Sequence, residues 1–191
     1  MARPDTREQI IKAGMKCLQE RGYNAVGVQD ITETAGVPKG SFYNHFESKE
    51  ALGAEIVARY GANSSRREIL ADRAIAPLER LRQHFQRLNR VFTDAKFERG
   101  CILGNFSAEL SAQSDLIRHS LRDLYARWTE DLEDAIGEAQ QAGTITSQAK
   151  PADIAAFLLD AYEGALLRAR VERNNQPFDR FMQFAFGQIL V

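Results

Sequence analysis

QDITETAGVPKGSFYNHFESKE, residues 29–50, reads as two short helices joined by a tight turn and followed by side chains suited to phosphate. Ile31 and Ala35 lie four apart, so they can share the inner face of one helix. Gly36 supplies the permissive backbone of a sharp exit. Val37 then buries, and Pro38 suits the first position of a new helix, where its missing N–H is no loss. In that second helix, from Pro38 to about His45, Lys39, Gly40 and Ser41 occupy the first turn. Helix N-terminal N–H groups and small side chains there can approach a phosphate or a base edge. Phe42 and Phe46, again four apart, anchor the helix and leave Tyr43, Asn44 and His45 on its other faces. Ser48 is placed to cap the next helix, with Lys49 in its first turn. Two helices around a glycine turn occur in many helical proteins, but a dense run of Tyr, His and Lys around an aromatic anchor is far less common.

The rest of the chain bounds what this segment can serve. A chain of 191 residues with 44% hydrophobic content can build a core as one domain or two small ones. No stretch approaches the ~20 apolar residues of a membrane helix, and the leading MARPDTREQ has no apolar signal-peptide core, so a cytoplasmic location is expected. Cys17 and Cys101, with three histidines, make neither a metal-ligand cluster nor a disulfide framework. No metal and no cofactor are expected. Net charge is −1 overall, and residues 1–50 hold seven Lys/Arg against seven Asp/Glu. That balance argues against a strongly basic nucleic-acid domain, although one face carrying Lys39, Lys49 and Arg3 can still meet phosphates. One such head alone binds weakly, which two heads together remedy.

Helical periodicity dominates and no alternating strand pattern occurs, so the expected fold is all-α with about nine helices. Residues 5–21 open with a cap at Asp5 or Thr6 and a stripe of Ile10, Ala13, Cys17 and Leu18. Gly22 ends that helix, and the helices near Val28–Ala35 and Pro38–His45 complete a three-helix head over residues 1–50. Residues 51–191 form a larger helical domain. Leu52, Ile56 and Tyr60 lead out of the head. Helices follow over Pro77–Thr93, within Cys101–Ser111, and over Leu116–Gln141, the last stopped by Gly143. Pro151 restarts a helix to about Arg173, and a last one begins near Pro177. Phe178, Phe181, Met182, Phe184, Ala185, Phe186, Ile189 and Leu190 are too many apolar residues for one buried stripe. The preceding helix, with Ile154, Phe157, Leu158, Ala161, Tyr162 and Ala165 around the small Gly164, offers a second broad apolar face. A well-packed monomer core and a four-helix interface between two subunits both account for this pattern.

The run DIT-x-x-A-G-V-P-K-G-S-F-Y-N-H-F-x-S-K-E, Asp30 to Glu50, after a first helix and Arg21-Gly22-Tyr23, resembles the DNA-binding head of the TetR/AcrR family of bacterial transcriptional regulators. The resemblance implies a homodimer through the last two helices, Ile154 to Arg173 and Phe178 to Leu190. Its two recognition helices then enter successive major grooves of a near-palindromic operator, ~34–36 Å apart. It also implies that Lys39, Gly40 and Ser41, with Asn44 beside them, meet base edges or nearby backbone, while Tyr43, His45 and Lys49 contact phosphate. The match lapses at Val26 and Gly27, where many relatives carry hydroxyl residues, and there the Gly27 N–H is the candidate replacement.

No catalytic motif is visible: no phosphate loop, no zinc motif, no nucleophile with a base. His84 and His119 read as isolated surface or groove residues. The expected function is a repressor released from its operator by a small molecule or a thiol-reactive compound. An activator on the same scaffold is the alternative, and a small helical enzyme or carrier stands further off. Cys101, within Arg99-Gly100-Cys101-Ile102-Leu103-Gly104-Asn105-Phe106, has three readings: a buried small hydrophobe, a pocket wall, or a sensor thiol. The third comes from resemblance to a subgroup of the family with a sensor cysteine at this position, which can pair with a basic residue such as Arg168 or Arg170. Phe85, Leu88, Phe92, Phe106, Leu124, Trp128, Phe157 and Tyr162 are the expected walls of the effector pocket. Cys17 reads as core.

Overall fold

The computed structural model describes residues 5–62 and 64–191, the side chains of 64–67 excepted. Arg3 lies outside the described residues. Among these the chain forms ten α-helices and a closing π turn, with no strand. The helix beyond the expected nine is Ser64–Ala71, a short segment whose few apolar positions gave no clear stripe.

Two compact units emerge, one of Met1–Ala62 with Gly100–Leu124 and one of Asn63–Arg99 with Tyr125–Val191. The first contains α1 (Thr6–Arg21), α2 (Val28–Ala35), α3 (Lys39–Tyr43), α4 (Lys49–Gly61), α7 (Ile102–Leu110) and the start of α8 (Asp115–Gln141). The second contains α5 (Ser64–Ala71), α6 (Pro77–Asp94), the remainder of α8, α9 (Pro151–Glu172), α10 (Gln176–Phe184) and the π turn Ala185–Ile189. A division at residue 50 and these packing units therefore cut the chain at different places.

In the first unit three helices have clear end caps. Asp5 accepts the Arg7 N–H at 2.9 Å to start α1, and Ser48 accepts the Ala51 N–H at 3.0 Å to start α4. Gly36 closes α2 in the left-handed conformation (φ 68°), and Val37 N–H reaches back to the Thr32 carbonyl at 3.0 Å. That turn aims α3 away from α2. Pro38 stands just before α3 rather than inside it. Ile31, Phe42, Leu52 and Ile56 are fully buried, joined by Ile10 and Leu18 of α1, and together they bind the four helices of the head into one core.

The second unit is organised by aromatic rings. Phe85 of α6 lies 5.2 Å from the Tyr162 ring of α9 and 4.8 Å from Phe181 of α10. Tyr162 in turn stacks on Phe178 at 5.9 Å. Beside this column a guanidinium is buried: Arg80 donates to the Leu70 carbonyl at 2.7 Å and pairs with Glu138, which also pairs with Arg73. Burial pushes the Arg80 pKa down from its usual value. Removing its counter-charge leaves a desolvated cation, so Glu138→Ala is expected to destabilise the chain by about 2–3 kcal/mol. Urea denaturation checks this, and a change below about 0.5 kcal/mol contradicts it.

Candidate nucleic-acid interface and effector site

Helix α3 has only five residues, Lys39–Tyr43, too few to be stable by itself in water. Phe42 and Phe46 are 0% and 5% exposed, their rings 5.6 Å apart, and they fasten the segment to the head. What remains faces outward. Lys39, Gly40, Asn44 and His45 are exposed, Ser41 half-exposed, and Tyr43 57% exposed. A Cβ on Gly40 would meet nothing within 4 Å, so no packing inside the chain requires glycine there. One cation, one hydroxyl, one bare backbone position and a phenol thus share a surface that core residues hold rigid.

Two expected phosphate contacts are already engaged. The Gly27 N–H, the candidate replacement for a missing hydroxyl, donates to the Asp30 carboxylate at 2.7 Å. Asp30, three residues on, closes the start of α2 as a capping group and accepts this hydrogen bond. Arg21 also donates to Asp30 at 2.9 Å, and both bonds hold the Asp30 pKa below the usual carboxylate range. Lys49 likewise turns inward. Its ammonium donates to the carbonyls of Tyr23 at 3.0 Å and Val26 at 2.8 Å and lies 4.0 Å from the Tyr23 ring centroid. Burial pulls its pKa down, opposed by the nearby Glu109 and Asp30 carboxylates.

The expected effector residues divide between the units. Cys101, Phe106 and Leu124 belong to the first; Phe92, Trp128, Phe157 and Tyr162 belong to the second. Cys101 is the cap residue of α7 and 2% exposed, with Sγ 3.3 Å from the Tyr60 hydroxyl of α4. Phe106 is fully buried with its ring 5.5 Å from Tyr23, so it underpins the head's α1–α2 loop. Tyr162 and Phe92 join the aromatic column through Phe178. Phe157 is 54% exposed, because it lies on the opposite side of α9 from Tyr162. It borders instead an apolar groove of about 340 Å³ shared with Ala161, Ala165, Phe181, Phe184 and Ile189.

Other side chains escaped the sequence reading. His84 is 2% exposed and accepts the Trp128 indole N–H at 3.1 Å through Nε2. It is therefore a core residue, contrary to the surface or groove position expected of it. Asn105 donates to the carbonyls of Leu18 and Gln19, both at 3.3 Å. Glu109, one turn along α7, accepts the N–H groups of Tyr23 at 3.1 Å and Asn24 at 2.7 Å. Asn105 and Glu109, four apart in a helix whose other polar residue is Ser107, were the available signal.

The comparisons with known proteins agree across both units. The family described as "Bacterial regulatory proteins, tetR family" matches residues 10–56, and "Tetracyclin repressor-like, C-terminal domain" matches residues 77–185. The chain belongs to the TetR family. It is 38% identical to the HTH-type transcriptional repressor DhaR of Mycobacterium sp. (strain GP1), covering 100% of this chain and 95% of DhaR. It is 33% identical to the transcriptional regulator AcuR of Cereibacter sphaeroides, covering 96% of this chain and 84% of AcuR. Among solved structures, a regulatory protein TetR from Rhodobacter sphaeroides superposes with a TM-score of 0.91 at 32% identity, over 97% of this chain and 99% of that one. Escherichia coli NemR in its reduced form gives 0.85 at 27% identity, over 97% of each chain. Like other members of the TetR family, the chain is a DNA-binding transcriptional regulator with an N-terminal helix-turn-helix. No helix among its described residues is long and apolar enough to cross a membrane.

In this TetR-family head, α1 and α4 are tied by charge as well as by packing. Arg59 of α4 donates to Glu8 of α1 and to Glu55, each at 2.7 Å, and Arg7 pairs with Glu55 at 3.3 Å. Arg59 hydrogen bonding holds both the Glu8 and Glu55 carboxyls below their ordinary value of 4.5. Because the folded pKa values are depressed, the stabilisation is present above pH 4.5 and is lost as pH falls through the lower folded values. Arg59→Met is therefore expected to flatten the dependence of Tm on pH below 4.5. Melting curves of the two proteins between pH 3 and pH 6 decide it, and parallel slopes refute the assignment.

Proposed function

We propose that this chain represses transcription as a homodimer and leaves its operator when a small molecule or a thiol-reactive compound acts on it. The observation that carries the reading is the exposed α3 surface, Lys39, Gly40, Ser41, Tyr43 and Asn44, held by the buried Phe42 and Phe46. In this reading Lys39 and Ser41 approach base edges, Asn44 lies beside them, and Tyr43 and His45 take phosphates. Gly40 lets the backbone come close to the duplex. The names of DhaR and NemR, both repressors, support repression over activation.

Dimerisation through α9 and α10 accounts for the second apolar face. Phe157, Leu167 and Phe184 are 54%, 51% and 56% exposed and Val171 is 84% exposed. Gly164 has nothing within 4 Å of a would-be Cβ, which leaves room for a close helix from a second copy. Cys101 is the candidate sensor. Its thiol touches Tyr60 at 3.3 Å with almost no exposure, so any group added to Sγ must displace α4 or α7. The description of the NemR structure as a reduced form supports a redox-sensitive state in this chain.

Gly40→Ala separates DNA reading from folding, because the two move in opposite directions. The substitution is expected to stabilise the chain by about 0.5–1 kcal/mol, as alanine replaces glycine in a helix, and to weaken operator binding at least tenfold. Urea denaturation and gel shifts with the chain's own upstream DNA measure the two; undiminished affinity contradicts the reading. For the sensor, Cys101→Ser is expected to abolish release by N-ethylmaleimide. Persistent release from that variant rejects Cys101 as the responsive thiol.

A further inference from the structure

The α1–α2 loop is held by its backbone from both sides of its polarity. Lys49 of α4 supplies N–H donors to the carbonyls of Tyr23 and Val26, at 3.0 and 2.8 Å. Glu109 of α7 supplies one carboxylate oxygen to each of the N–H groups of Tyr23 and Asn24, at 3.1 and 2.7 Å. The fit is close. A Cβ on Gly22, itself at φ 80°, would lie 2.2 Å from the Glu109 carboxylate, so the loop accepts this bracket only with glycine at that position. Asn105 fastens the adjoining end of α1 from the same face of α7. Immediately after the bracketed residues, Gly27 and Asp30 start α2, the helix whose turn aims α3.

We infer that Lys49 and Glu109 are positioning residues for DNA reading: neither touches the duplex, and together they fix the loop that sets the direction of α2 and α3. This rests on the DNA-binding reading above, and it gives Lys49, which the family resemblance placed on phosphate, the part of an internal bracket. It also gives Cys101 a route to the head that does not pass through α4 alone. Cys101 caps the helix that carries Asn105 and Glu109, so a substituent on its sulfur that shifts α7 also shifts the bracket. A phosphate contact and a bracket predict different salt behaviour. A lost phosphate contact lowers the slope of log Kobs against log salt by ~0.9, whereas a misdirected α3 loses affinity without that signature until whole contacts fail.

The test uses the full-length chain and a duplex selected from a randomised library by the wild-type protein, at a temperature where circular dichroism shows every variant folded. Lys49→Met and Glu109→Gln are each expected to weaken binding about tenfold or more, with the salt slope unchanged. A Lys49→Met slope lower by about one charge, or wild-type affinity in the folded Glu109→Gln protein, overturns the inference. Amide hydrogen exchange reads the bracket without DNA. In Glu109→Gln, protection is expected to fall at Tyr23 and Asn24 while Ile10 and Leu18 keep theirs, and unchanged protection at Tyr23 and Asn24 overturns it. If the wild type selects no duplex, the DNA reading fails, and the exchange experiment still decides whether the bracket exists.

Discussion

A helix of five residues cannot hold its own shape in water, because the first turn costs more conformational entropy than one hydrogen bond returns. Everything that α3 presents therefore depends on what fastens it. Two fully or nearly buried phenylalanines, Phe42 and Phe46, do this from below. The Gly36 turn does it from the α2 side. Burying each phenylalanine is worth about 2–3 kcal/mol, enough to order so short a segment. The outward residues can then be polar and exposed without being mobile, which is the condition for reading a groove by side-chain geometry.

That condition also explains which parts of the site were legible. Residues 29–50 carry the whole local logic of the head: Ile31 for burial, Gly36 for the turn, Phe42 and Phe46 for anchorage, Ser48 for the cap. All of these are short-range features with a fixed spacing, and the structure shows each in its expected place. Pro38 stands one position earlier than expected, as the residue before α3. The partners of Lys49 were not legible, because a side chain's direction depends on residues far away in sequence. Lys49 reaches the carbonyls of Tyr23 and Val26, and the Glu109 carboxylate acts on its charge. Spacing cannot report such a contact.

The second unit shows the same limit in another form. Apolar periodicity located α6, α9 and α10, yet it could not tell which side of α9 faces inward. Tyr162 is fully buried and Phe157, five residues earlier, is 54% exposed, so two residues expected to wall one pocket lie on opposite faces. Arg80 and His84 were hidden for the converse reason. Both are polar residues buried on α6 by partners from elsewhere, Glu138 and Leu70 for the one and Trp128 for the other. A buried charge or imidazole is visible only when its partner is. The exposed face of α9 and α10, by contrast, was foreshadowed by simple excess: that segment has more apolar side chains than one stripe can bury.

In the proposed complex, two copies of α3, held from behind by Phe42 and Phe46, enter successive major grooves of one duplex. An iron chelate attached through Glu47→Cys, in a chain whose native thiols are replaced by Cys17→Ala and Cys101→Ser, tests it most directly, since Glu47 is exposed just beyond α3 and has no assigned DNA contact. Hydroxyl-radical cleavage of bound operator DNA is expected in two clusters about one helical turn apart, each centred on a major groove. A single cluster, or cleavage spread evenly along the duplex, contradicts the account.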